Sequence, residues 1–130
     1  MPSCQRSSRS TPFVLPAVPT TAGEGGVVQL TTTVERQADA DRIAALLLER
    51  RLAACVQVAG PVTSHYRWKG EPTSAPELLV VAKTTASRAG EAVAAIVDAH
   101  PYDLPEVLVT PVAGGHAPYL AWVAGEVESP

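Results

Sequence analysis

From Val27 onward the apolar positions keep regular periods, and those periods predict the elements. Val27 to Val34 is rich in β-branched residues and reads as a strand. Ala40, Ile43, Ala44 and Leu47 recur at i, i+3, i+4 and i+7, which predicts a helix from about Gln37 to Arg51. Asp39 and Asp41 in its first turns and Arg50 and Arg51 in its last complement the helix dipole. Leu52 to Ala59 is apolar again and reads as a buried strand, bent by Gly60-Pro61. Residues 62–69 alternate. Val62, Ser64, Tyr66 and Trp68 fall on one face, and Thr63, His65, Arg67 and Lys69 on the other, the period of a half-buried strand. Lys69-Gly70-Glu71-Pro72 predicts a turn and Glu77 to Thr84 the next strand. A helix follows from about Ser87 to Ala99, with Ser87 as its N-cap and Val93, Ile96 and Val97 as its stripe. Pro101 and Pro105 bracket a tight connection to a strand over Glu106 to Val112, and Pro118 opens a short last helix through Trp122.

The predicted order is β-α-β-β-α-β plus a terminal helix. This is an α+β chain on the split βαβ, ferredoxin-like plan. Right-handed crossovers place both helices on one face of the sheet. The other face is left bare, which predicts oligomerisation through it, with Tyr66 and Trp68 as interface residues.

Residues 1–26 break the pattern. More than half of them are Pro, Gly, Ser or Thr, and Phe13-Val14-Leu15 is too short for a signal-peptide core. They are expected to form a disordered leader dispensable for folding, with residues 27–130 as the single domain. At 130 residues, 46% hydrophobic and 18% charged, the chain has the means for one packed core. No apolar run is long enough to span a membrane. A net charge of −3 without a basic block argues against nucleic acid and anionic membrane as partners. Two cysteines, Cys4 and Cys55, make neither a disulfide framework nor a four-ligand zinc site, which points to a reducing compartment. Cys55, between Ala54 and Val56, is expected to be a buried, inert thiol.

Among the three histidines, His65 reads as a solvated strand residue and His116 as a turn residue. His100 stands at a predicted helix C-terminus and is followed by Pro101-Tyr102-Asp103-Leu104-Pro105-Glu106. It reads either as a cap of that helix end or, with Glu106, as a pair able to bind a transition metal or move a proton. No nucleophile elbow, P-loop, H-E-x-x-H or paired-cysteine motif is present, so no catalytic residue is assigned.

Five segments in order, Leu52-Ala53-Ala54-Cys55-Val56, Ser64-His65-Tyr66-Arg67-Trp68, Glu77 through Lys83-Thr84, His100-Pro101-Tyr102-Asp103-Leu104-Pro105-Glu106 and Tyr119-Leu120-Ala121-Trp122, resemble the CutA family of divalent-cation tolerance proteins. The resemblance covers residues 27–125. It implies a ferredoxin-like fold packed as a PII-like homotrimer, cytoplasmic residence, and a link to tolerance of copper and other divalent cations. Some members carry a cysteine near the end of the first strand, where this chain has Leu30-Thr31-Thr32-Thr33, and a second histidine where it has Ala99. His100 therefore remains the metal candidate. The site is expected in a cleft between subunits, bordered by His100, Tyr102, Glu106 and Lys83, with Trp68 or Trp122 nearby and Lys83 held by Glu106. Two other readings stand beside a metal- or ligand-binding trimer. One is a small enzyme using His100 and Glu106 as acid and base with Lys83 or Tyr102 as electrophile. The other is a stable trimeric scaffold for partner binding.

Overall fold

The computed structural model describes residues 26–128; residues 1–25 of the expected leader, with Cys4, lie outside the described residues. Seven elements run in the order β1 (Val27–Val34), α1 (Gln37–Glu49), β2 (Cys55–Trp68), β3 (Glu71–Thr85), α2 (Ala86–Ala99), β4 (Val107–Pro111) and α3 (Ala117–Glu126). The strands form one antiparallel sheet in the order β2-β3-β1-β4. The α+β, split βαβ plan read from the pattern is therefore the observed one.

Alternation explains the core. Val28, Leu30, Thr32 and Val34 of β1 and Val80, Ala82 and Thr84 of β3 are buried, while their odd-numbered neighbours Gln29, Thr31 and Val81 are only partly covered. The helices α1 and α2 supply Ala40, Ile43 and Leu47, and Ala92, Val93 and Ile96, to the same cluster. The alanines keep the helices close to the sheet. On the opposite face α3 packs against β3 and β1. Its Val123 and the following Val127 are fully buried, and the paired Val27 and Thr85 at that end of the sheet are buried too. The rest of that face stays open, with Leu108 56% exposed on β4 and Trp122 46% exposed on α3.

Arginines close all three helices. Arg88 reaches the Arg50 and Arg51 carbonyls after α1, Arg42 donates to the Ala99 carbonyl of α2, and Arg51 donates to the Glu126 carbonyl of α3. Cations here offset the negative helix ends. The helix α1 itself ends two residues earlier than its charge pattern predicts. Arg51 adopts φ +56°, its N–H bonds Leu48 O at 3.1 Å, and the Leu52 N–H bonds Leu47 O at 2.8 Å. This is a Schellman ending, with Leu52 buried over Leu47. Likewise α2 starts at Ala86 with Thr85 as its N-cap, so Ser87 lies inside the helix.

The strands on either side of the hairpin are longer than predicted. Gly60-Pro61 does not end β2; it forms a bulge between Ala59 and Val62, and the strand continues to Trp68. The partner strand β3 begins at Glu71 rather than Glu77, because Pro72 and Pro76 interrupt the residue pattern without interrupting the pairing. β1 covers β3 only from Leu78 onward. Residues 62–68 and 71–77 therefore leave the sheet as a two-stranded ribbon.

Candidate functional site

A cleft of about 220 Å³ opens where the ribbon leaves the sheet, lined by Thr33, Ser64, His65, Tyr66, Glu77, Tyr102 and Glu106. Four pieces of chain meet there. Thr33 comes from the end of β1, and Ser64, His65 and Tyr66 come from the base of the ribbon. Glu77 stands at the last β3 position before β1 pairing starts, and the proline-bounded loop after α2 brings Tyr102 and Glu106. Glu106 directly precedes Val107, whose partner is Thr32, and this fixes the carboxylate beside the end of β1.

Glu77 and Tyr102 are 4% and 5% exposed, and the Tyr102 hydroxyl donates to Glu77 Oε2 at 2.9 Å. A buried carboxylate requires such a donor. Burial, and next the nearby Glu77 charge, raise the pKa of Glu106 above its ordinary 4.5.

The structure places Tyr102 and Glu106 in one cleft and adds Glu77, which sequence reasoning passed over as the opening of an apolar strand. The available signal was a lone acid between Pro76 and the run Leu78 to Ala82. His100 is not part of the cleft lining. It is 8% exposed, with Nε2 at 2.9 Å from the Thr33 carbonyl and 3.1 Å from Thr32 Oγ1, while Nδ1 accepts the Tyr102 N–H at 3.1 Å. A carbonyl can only accept, so Nε2 donates to it while Nδ1 accepts. Both nitrogens are committed to the backbone, which corrects its reading as a metal ligand or proton carrier. Its position orients the Tyr102 loop instead, and its ring packs against that of Tyr102 with centroids 4.6 Å apart.

Lys83 is bonded to Gln57 Oε1, not to Glu106. The register gives the reason. Lys83 pairs with Gln29 on β1, four residues from Thr33, so Glu106 lies ~13 Å away along the strand. Gln57 is the diagonal cross-strand neighbour. Trp68 sits at the ribbon tip opposite Glu71, and Trp122 lies on α3, stacked with Tyr119 at 5.6 Å. Neither reaches the cleft within one protomer. Cys55 is half-buried rather than buried. Val56 and Val58 turn toward the helices, which leaves Cys55 and Gln57 on the other face, where Cys55 lies near the Tyr119 hydroxyl.

Within the described residues no three His, Cys, Asp or Glu side chains are grouped to hold a metal ion. The cleft lining offers two carboxylates, hydroxyls and the His65 imidazole, oxygen donors suited to hard divalent cations with one nitrogen beside them. Copper favours tetragonal sets with several nitrogens, and one imidazole with two carboxylates falls short of a full set within one protomer.

The sequence model of the CutA1 divalent ion tolerance protein family matches residues 28–126. The chain is 41% identical over 91 residues to the divalent-cation tolerance protein CutA of Thermus thermophilus, covering 70% of this chain and 88% of that one. To the human protein CutA it is 37% identical over 105 residues, covering 81% of this chain and 59% of the human one. The chain thus spans well under two thirds of that longer relative. The crystal structure of CutA from Xylella fastidiosa superposes with a TM-score of 0.77 at 32% identity, covering 79% of this chain and 99% of the other. Matched segments, topology and superposition agree, and the chain belongs to the CutA1 divalent ion tolerance protein family.

Proposed function

We propose that this protein acts in divalent-cation tolerance as a homotrimer, holding a cation or small ligand in the cleft at Glu77 and Glu106 where subunits meet. The observation that carries the reading is the acidic pair itself. A buried carboxylate and a second one with a raised pKa, in an open cleft, is an arrangement that a cation relieves. Membership of a family named for divalent-cation tolerance supports the same direction. Two carboxylates make an incomplete ligand set, and a neighbouring subunit is the natural source of the rest. Lys83, Trp68 and Trp122 lie too far along one protomer to contribute, so in this reading they enter the cleft only from another copy. Cytoplasmic residence belongs to the same proposal, on the strength of the free Cys55.

Calorimetric titration of the purified protein with Cu²⁺, Zn²⁺ and Mn²⁺ tests it. Wild type should bind at least one of them, and Glu106→Gln and Glu77→Gln should each weaken that affinity by about ten-fold or more. Unchanged affinity in both variants would remove the cleft as the cation site.

A further inference from the structure

The outer edge of the ribbon carries a feature that the cation reading leaves unused. Lys69 and Gly70, both at positive φ (51° and 82°), form a two-residue type I′ turn. Trp68 and Glu71 flank it and so exchange both ladder hydrogen bonds. Alternation then makes Tyr66/Thr73, Ser64/Ala75 and Val62/Glu77 hydrogen-bonded pairs, and Arg67/Pro72, His65/Ser74 and Thr63/Pro76 non-hydrogen-bonded ones. Residues 72, 74 and 76 therefore direct their backbone groups away from β2, toward an edge that β1 does not cover. Two of these three are proline and have no N–H to offer. On the opposite edge, Thr63, His65 and Arg67 keep theirs.

We propose that Pro72 and Pro76 seal the β3 edge of the ribbon against strand addition. A second copy of this chain can then extend the ribbon only along β2. A ribbon open on both edges would recruit copies on each side, and such head-to-tail pairing propagates unless its rotation closes. With the β3 edge sealed, that route to open-ended pairing is removed, and strand addition to the ribbon is confined to its β2 edge. The prolines cost the hairpin nothing, since both occupy positions whose N–H the ladder does not use.

Light scattering coupled to size exclusion tests this, over a range of concentrations, on the full chain. Pro72→Thr/Pro76→Thr restores both donors with a strand-favouring residue. Its weight-average mass should rise to roughly twice that of wild type or more, and climb with concentration. Ser74→Thr adds the same side chain without adding a donor and should keep the wild-type mass. Ser74→Pro should also keep the wild-type mass and melting temperature, whereas Thr73→Pro removes a ladder donor and should melt earlier. A double variant with the wild-type mass at every concentration would overturn the proposal. If that variant fails to fold, Ser74→Pro melting as early as Thr73→Pro would overturn it equally, because the outward aim of residue 74 would then be wrong. The wild-type mass reports the trimer separately, so the two readings fail on different measurements.

Discussion

His100 shows how a single side chain can look like chemistry and serve architecture. Its two nitrogens tie the end of β1 to the loop that carries Tyr102. His100→Ala leaves the Thr33 carbonyl and the Tyr102 N–H without partners, and each buried orphan costs about 1–3 kcal/mol. The expected loss is about 2–4 kcal/mol in denaturant unfolding, with cation affinity near that of wild type as long as the cleft stays formed. A cation titration abolished in a folded His100→Ala variant would restore the ligand reading. Glu106 carries the pH signature. Its folded-state pKa lies above 4.5, through desolvation first and Glu77 second, so the folded chain holds this proton more tightly than the unfolded chain. This contribution to stability is present at low pH. It falls as pH rises from 4.5 through the raised value, and is flat beyond. Glu106→Gln should remove that fall, read as the difference between wild-type and variant unfolding free energies across this window.

At the scale of elements, the ribbon is decided by a few backbone positions. Gly60 sits at φ +130°, and a Cβ there would lie 3.0 Å from the Val62 N and 3.1 Å from the Glu77 O. Both contacts are backbone atoms, which cannot swing aside. Gly60→Ala should therefore destabilise by about 1–3 kcal/mol and displace Glu77, so that thermal stability and cation affinity fall together. Loss of neither would show that the bulge tolerates a side chain. An isolated two-stranded ribbon is marginal in water. That its inner end is anchored by Glu77 and Tyr102 explains why the cleft forms at its base and not at its tip.

For the whole molecule, the open sheet face sets the expectation of assembly. Leu108 points from β4 on the face that α3 leaves uncovered and is 56% exposed. An obligate interface of this kind buries more than about 2,000 Å² and is apolar at its centre. The wild type should run as three chains in light scattering at micromolar concentration. Leu108→Glu should lower that mass while keeping the far-ultraviolet dichroism of a folded protomer. A monomeric wild type would sink the trimer, and an unchanged Leu108→Glu mass would move the interface elsewhere.

The sequence by itself determined the element order, the sheet plan and the core stripes, because burial imposes periods of 2 and 3.6 that any buried strand or helix must display. Ala40, Ile43 and Leu47, and Val80 and Ala82, are buried where their periods place them. It also determined the family, through short segments whose order survives without reference to coordinates. That Tyr102 and Glu106 lie close together was legible because two prolines fix them in one short loop. Tertiary structure alone decided the rest. Strand register, a long-range choice invisible to local pattern, sent Lys83 to Gln57 and away from Glu106. The parity of β2 past Leu52 put Cys55 beside Tyr119 instead of in the core. Glu77 joined the cleft only when the H-P-Y loop folded over it and Tyr102 supplied a proton donor. His100 lost its apparent chemistry for the same reason: its partners, Thr32 and Thr33, lie 67 or more residues away along the chain, and no spacing rule connects them.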